Sequence, residues 1–288
     1  MSMRILLTGA DGQLGSCFKK ESLLLNESLL IDYVGRKDLD ISSSESVESF
    51  FKDKVYDCII NAAAYTKVDL AEEEEDIAFE VNSDGVLNLA LAAEKMNALF
   101  IHISTDFVFD GRRTLPYKEI DITNPLSVYG KSKLSGEKVA LDNCSKVIVL
   151  RTSWLYSFEG NNFLKTIQRI GLENESIRVI SDQIGTPTNA NKLVSFIFHL
   201  LSLKFDKINE IYNFSDGGEC SWYDFASSII EFSNIDCNVV PIKSEEYPQK
   251  AERPKYSVLD KTKLLNDFDF SIEDWKEVLK KEIKRNLN

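Results

Sequence analysis

Two apolar rhythms alternate along the first 172 positions. Short, nearly continuous apolar runs fall at about 3–8, 29–34, 57–61, 98–104 and 146–151, the pattern of strands covered on both faces. Between them, apolar positions three and four apart predict helices over about 12–25, 44–53, 76–96, 127–143 and 160–172. Strands alternating with helices predict an α/β fold, a Rossmann-type doubly wound parallel sheet with crossover helices. After residue 172 the rhythm loosens. Apolar pieces at 177–180 and 210–214 sit among loops rich in Pro, Asn and Gly, with helices expected near 190–203, 221–233 and 272–286.

The run from Ile5 to Gly15 sets glycines 9, 12 and 15 directly behind the first strand. Gly9 allows the chain to turn off the strand. Gly12 lets bare backbone approach phosphate oxygens, and Gly15 lets the next helix pack close to the sheet. The N–H groups and positive dipole end of that helix then face an anion. The spacing is G-x-x-G-x-x-G and not the G-x-G-x-x-G fingerprint, and a glycine-rich turn without a ligand has the same composition. Its place between a strand and a helix makes the pyrophosphate of a dinucleotide the expected guest, with Gly9, Asp11, Gly12, Gln13, Leu14 and Gly15 as candidate contacts. Residues 1–150 are therefore expected to form a dinucleotide-binding unit. Residues 151–288 are expected to form mainly a smaller C-terminal α/β substrate-binding lobe, with some segments returning to the first unit.

The second apolar run ends in Gly35-Arg36-Lys37. An NAD site usually carries a carboxylate there for the ribose hydroxyl, whereas a guanidinium grips a 2′-phosphate through paired N–H donors. Arg36 thus points to NADPH, with NADH possible; ordinary loop cations are the plainer explanation. Asp32 lies on the strand itself and is expected to point elsewhere. Asp40 and Ile41 are candidate neighbours of the adenine. Ala63, Ala64 and Tyr65, after the third strand, are candidates for close approach to the cofactor, although a run of alanines also suits tight packing.

Tyr129-Gly-Lys-Ser-Lys133 places a phenol and an ammonium one helical turn apart. A neighbouring cation favours phenolate and brings the tyrosine toward useful acid–base behaviour. Tyr33 and Lys37 share the spacing but sit at a strand end with Gly35 between them, where no helix aligns them. Tyr129 is set apart by what precedes it: the fourth strand ends in Ser104-Thr105-Asp106, where side chains enter the ligand crevice of such sheets. Thr105 can donate to a substrate carbonyl while Tyr129 supplies the proton.

Composition narrows the function class. The 288 residues are 43% hydrophobic, enough for one large core or two modest ones, and 34 basic against 46 acidic residues give a net charge of −12. So acidic a chain is a poor phosphate-tracking surface, and no nucleic-acid partner is expected. The acidic run Glu72–Asp76 suits a helix N-terminus. Cys17, Cys58, Cys144, Cys220 and Cys237 show no paired or metal-like spacing, as suits a reducing compartment. The first apolar run is too short for a signal peptide and no stretch suits a membrane span, so a cytoplasmic protein is expected.

Thr8–Gly15, Asn61–Thr66, Ser104–Gly111 and Tyr129–Glu137 resemble the extended short-chain dehydrogenase/reductases, and more narrowly the dTDP-4-dehydrorhamnose reductase family. Arg151–Tyr156, Gly160–Phe163, Asp182–Thr188 and Arg253–Asp260 carry the resemblance into the second lobe. It implies that Tyr129 is the proton donor, that Lys133 orients the nicotinamide ribose and lowers the phenol pKa, and that Thr105 touches the reacting carbonyl. Trp154 would lie against the deoxysugar, with Asp106 and Asn162 as lesser substrate contacts. Independently, an indole is a good platform for a sugar face, though a core tryptophan explains Trp154 too. Arg253 is a candidate for the substrate diphosphate, or for an interior salt bridge. The implied reaction is NADPH-dependent reduction of the 4-keto group of a dTDP-sugar, dTDP-4-dehydro-L-rhamnose. The alternatives are a reductase of another nucleotide 4-keto-6-deoxysugar, or a non-catalytic NADP-binding subunit like the methionine adenosyltransferase β subunit. Dehydratases of the superfamily carry Asp-Glu after the Thr; here Phe107 follows Asp106, which argues against elimination. Some relatives dimerise through a metal held by glutamates. One of those positions is Cys17 here, unsuited to a hard cation, so a monomer or a homodimer without a metal bridge is expected.

Overall fold

The computed structural model describes residues 3–23, 29–203 and 209–287. Six parallel strands form the main sheet: β1 (Met3–Thr8), β2 (Leu29–Val34), β3 (Cys58–Asn61), β4 (Leu99–Thr105), β5 (Val147–Thr152) and a sixth, Glu210–Phe214. From one edge the order is Glu210–Phe214, β5, β4, β3, β1, β2. The chain leaves β1 toward β2 on one side and returns to β3 on the other. The crevice this reversal opens at the carboxyl ends of β1 and β3 is where such sheets take ligands.

β1 shows why the sheet needs helices on both faces. Ile5 and Leu7 enter one core with Leu14 and Phe18 of α1 (Gln13–Ser22), while Leu6 enters the other. That second core holds Val47 of α2 (Ser44–Phe51), Leu89 of α5 (Gly85–Met96) and Ala140 of α6 (Val128–Asn143). Each of the Val, Leu, Ile and Phe side chains contributes about 1.5–3 kcal/mol by leaving water. Two short helices, α3 (Val68–Ala71) and α4 (Glu75–Phe79), precede α5.

The structure departs from the sequence expectation, or makes it specific, in three places. The helix expected over 76–96 is broken: α4 ends at Phe79, a π-helical turn spans Glu80–Asp84, and α5 begins at Gly85. A π turn inserts a residue into the helix; here it buries Asn82, whose carbonyl oxygen lies so close to Gly136 of α6 that a Cβ there would sit 2.1 Å away. Second, the segments expected to return to the first unit take a definite form: the helix Ala190–Ser202 and strand Glu210–Phe214 lie in the sheet unit, with Leu193, Phe196 and Phe214 in the same core as Ile5. Third, α1 ends at Ser22, and positions 24–25 of the expected helix lie outside the described residues.

A separate core gathers Tyr156, Leu164, Phe225, Ile229, Trp275 and Leu279. It packs under the strand Ser176–Ile180, which pairs in parallel with Asn238–Ile242. Among the described residues no helix is long and apolar enough to cross a membrane.

Candidate active site

The glycine turn is shaped by its neighbours. Gly9 has φ +70°, and a Cβ there would lie 2.5 Å from the backbone nitrogen of Ala63, so glycine alone serves on two counts. Gly15 has its close contact not with the sheet but with the turn itself, since its Cβ would stand 2.5 Å from the Gly9 carbonyl oxygen. Gly12 precedes α1 and offers no side-chain cap, leaving the helix N-terminus to a ligand. Leu14 is core, so only its backbone is available, whereas Gln13 Nε2 is buried without a partner. Asp11 is exposed and faces Lys19 at 3.6 Å. An open helix start, a bare turn and an unpartnered amide donor fit a pyrophosphate.

Other cofactor candidates divide. Arg36 is exposed at the end of β2, with Asp40 at 3.6 Å. Asp40 is tied into its own turn, accepting from the Ser42 hydroxyl at 2.7 Å, which holds its carboxyl below the usual range. The Ile41 side chain is buried against Gly85. Asp32 does point elsewhere, accepting from Tyr56 and Arg4. Ala63 N–H donates to Asn61 Oδ1 at 3.1 Å, and Tyr65 N–H to Asn82 Oδ1 at 2.9 Å, so these two amides shape the loop through Ala64.

A polar row crosses three strands, at the ends of β1 and β3 and within β4. Thr8, Asn61 and His102 stand in register on β1, β3 and β4. Thr8 Oγ1 donates to Asn61 Oδ1 at 2.7 Å, and Asn61 Nδ2 lies 3.2 Å from His102 Nδ1. The row reaches α6, where Lys133 Nζ sits 3.5 Å from His102 Nε2 and donates to the Ile103 carbonyl at 2.6 Å. Burial lowers Lys133 to about 8, opposed by Glu137, and pushes His102 well below its ordinary value.

The reactive cluster is assembled from two elements. Ser127 caps α6 by accepting from Gly130 N–H, and Glu72 Oε1 accepts from Val128 N–H at 2.9 Å. Gly130 brings the first turn of α6 against the turn at Asp106–Val108, since a Cβ there would lie 2.3 Å from the Phe107 carbonyl oxygen. Tyr129 is thereby placed edge-on to the Phe107 ring, centroids 5.6 Å apart, with its phenol facing Thr105. Burial, and secondarily the charge of Asp106, push the phenol up to about 12 against the favourable Thr105 hydroxyl. Lys133 Nζ is turned to β4, and the groups acting on the phenol in this structure are Thr105 and Asp106. The phenol is a proton held in reserve.

Behind the pair, Glu137 of α6 and Arg151 of β5 form a buried two-pronged ion pair at 2.6 and 2.9 Å, and Ser104 donates to the same carboxylate. Losing either charged partner would strand the other at a cost of about 3–5 kcal/mol.

Trp154, just beyond β5, has φ +47°, a left-handed conformation that costs a bulky residue about 1–3 kcal/mol. Its indole stacks on Trp222 at 3.5 Å and lies over Gly185, where a Cβ would collide with it. Trp222 also lines a cavity of about 680 Å³ with Phe163, Arg178, Tyr247 and Arg253. Arg253 makes the two-pronged salt bridge to Asp69 at 2.8 and 3.2 Å, on the cavity wall. Asn162 is spent locally: it caps the helix Phe163–Glu173 and donates to the Ser157 and Glu159 carbonyls. Asp106 is buried, accepting from Thr105 Oγ1 at 3.1 Å, and is no open substrate contact. Cys17 is a buried thiol raised by burial to about 11.

Sequence reasoning missed His102, Asn82, Glu72 and Trp222. Only His102 left a clear mark, a lone polar residue inside the apolar run Leu99–Ile103.

Known proteins resemble this chain over nearly its whole length. Residues 3–288 match the RmlD substrate binding domain. A dTDP-4-dehydrorhamnose reductase of Aggregatibacter actinomycetemcomitans is 40% identical, covering 96% of this chain and 97% of that one. The Escherichia coli K12 enzyme of the same name is 36% identical over 97% and 96%. The crystal structure of the Bacillus anthracis dTDP-4-dehydrorhamnose reductase in complex with NADP superposes with a TM-score of 0.93, at 39% identity, covering 99% of this chain and all of that one. The chain belongs to the dTDP-4-dehydrorhamnose reductase family of extended short-chain dehydrogenase/reductases.

Proposed function

We propose that the protein reduces the 4-keto group of dTDP-4-dehydro-L-rhamnose to give dTDP-L-rhamnose, with NADPH as reductant. The observation that carries the reading is the meeting of Tyr129 and Thr105 at the carboxyl end of β4, beside the glycine turn. The glycines at 9, 12 and 15, the N–H groups of Gln13 and Leu14, the backbone of Ala63 to Tyr65, Arg36 and Lys133 would hold the cofactor. When bound, its nicotinamide supplies the hydride that reduces the carbonyl carbon. Tyr129, kept protonated by burial, gives its proton to the new alkoxide, and Thr105 is placed to stabilise the charge on that oxygen.

Residues 151–288, apart from the segments in the sheet unit, form the substrate lobe in this reading. The cavity beside Trp222 is of the size that takes a nucleotide, and Arg253 on its wall faces the diphosphate. Trp154 backs Trp222 of that cavity wall, and with its indole held between Trp222 and Gly185 it would meet the deoxysugar by its edge and not by a ring face. The acidic surface disfavours a nucleic-acid partner. A cytoplasmic monomer, or a homodimer without a metal bridge, accords with Cys17.

The direct test is the loss of NADPH absorbance on adding dTDP-4-dehydrorhamnose, with NADPH and NADH supplied separately. Oxidation that depends on the ketosugar and is faster with NADPH supports the reading. Tight NADP binding without turnover of this or related ketosugars would make the chain a binding subunit.

A further inference from the structure

Thr105 has one proton to give and two lone pairs to receive with. Its Oγ1 donates to Asp106 Oδ1 at 3.1 Å and accepts from the Phe107 N–H at 3.2 Å, which leaves one lone pair open on the side of the Tyr129 phenol. With Asp106 ionised, the hydroxyl is fully committed, because a carboxylate only accepts and holds the Thr105 proton. With Asp106 protonated, the carboxylic acid donates to the open lone pair of Thr105, the Tyr129 proton is left for the substrate oxygen, and the threonine proton is released toward the crevice.

We propose that Asp106 is a positioning residue whose protonation decides whether Thr105 can donate a hydrogen bond to the substrate's carbonyl oxygen. The inference rests on the ketosugar-reductase reading above and assigns Asp106 a role through Thr105 and not at the sugar. Its surroundings suit a neutral acid. The residue is 1% exposed, and Oδ2 is buried without a hydrogen bond. The groups acting on it are the Thr105 and Ser257 hydroxyls and the backbone N–H groups of Asp106 and Phe107, with the Tyr129 phenol opposite on α6. Burial outweighs those donors and lifts the carboxyl to about 6, so both forms are accessible near neutrality. Over that window Tyr129 stays protonated, while Lys133, lowered by burial to about 8, begins to lose its proton only at the upper end, a change that Asp106→Asn leaves in place.

The test is the pH profile of the initial rate with dTDP-4-dehydrorhamnose. NADPH is kept saturating, because its own 2′-phosphate titrates in the same range. The wild type is expected to slow on the order of tenfold from about pH 5.5 to about pH 7.5, as one oxyanion donor is withdrawn. Asp106→Asn keeps an N–H donor toward Thr105 at every pH and is expected to give a level profile. Thr105→Ser should keep the fall and Thr105→Val should lose it, a comparison that carries the test if Asp106→Asn does not fold. A level wild-type profile would overturn the inference while leaving the reductase reading standing. So would a fall that persists in Asp106→Asn, or an Asp106→Asn protein that binds NADPH normally yet is inactive throughout. A wild type without turnover at any pH overturns both.

Discussion

His102 Nε2 faces Lys133 Nζ at 3.5 Å, and the hydrogen bonds on the far side of the ring decide which nitrogen carries the proton. Ala63 N–H can only donate, so the Asn61 atom it meets is the oxygen. Asn61 therefore turns its NH₂ toward His102 Nδ1, which must accept. The imidazole proton is left on Nε2, aimed at the lysine. An ammonium cannot accept it, whereas a neutral amine can, an arrangement that works in the same direction as burial on Lys133.

The first prediction concerns that ring. The chain has two histidines, so selective labelling gives a simple spectrum. Imidazole chemical shifts of His102 should report the Nε2–H tautomer. They should stay unchanged as pH falls through the ordinary histidine range of about 6.5, because burial disfavours the cation. A ring that titrates near that value, or an Nδ1–H tautomer, would refute the network.

Tyr129→Phe removes the reserve proton while keeping the ring against Phe107. Turnover with the ketosugar should fall by about two to four orders of magnitude, the range for lost acid–base help. NADPH affinity should persist. Near-normal kcat in this variant would show that the proton comes from elsewhere.

The first five strands of the sheet and the helix that carries Tyr129 were legible because each rests on a local pattern. Ile5 and Leu7 against Leu6 announce a strand covered on both faces, and Ser127 opens α6 with a capping hydroxyl. What escaped depends on partners far away in the chain. Glu210–Phe214 was visible as an apolar piece but not as a strand of the main sheet, since it mixes Glu and Asn with apolar residues; Asn213 is tolerated inside because it donates to the Tyr117 and Asp260 carbonyls. The π turn at Asn82 has no breaker residue to mark it; its cause lies at Tyr65, Ser132 and Gly136. The same holds within the site. The spacing of Tyr129 and Lys133 was visible, but the direction of Nζ was set by Ile103 and His102. Asn162 lay in a motif yet is spent on a helix cap.

Arg36 should set the cofactor preference. Its guanidinium is three-quarters exposed, with the Asp40 contact at 3.6 Å too open to hold it strongly. A hydrogen bond to a charged group contributes about 1.5–3 kcal/mol, so Arg36→Ala should raise the KM for NADPH about tenfold to a hundredfold. The KM for NADH should barely move. Equal changes for both cofactors would mean that Arg36 does not meet the 2′-phosphate.

Asp216, beyond the sixth strand, offers a stability test clear of the reactive cluster. It is buried, accepts from Asn189 N–H at 3.0 Å, and is pushed up to about 7 by burial, against the pull of Lys192 and Lys261. The unfolded chain releases this proton near the ordinary carboxylate value of about 4. Between those two values the native state binds the extra proton, so its stability falls as pH rises and stays reduced above about 7. Asp216→Asn retains an oxygen for Asn189 N–H and carries no titrating proton. Relative to wild type it should therefore gain stability progressively from about pH 4 to about pH 7. The gain should be on the order of a few kcal/mol, because each tenfold difference in proton affinity between the folded and unfolded chain is worth about 1.4 kcal/mol. Thermal unfolding at about pH 5 and about pH 8 reads the difference as a Tm gap that widens with pH. A gap of constant size, or a variant less stable than wild type at the higher pH, would mean that Asp216 ionises in the fold without penalty.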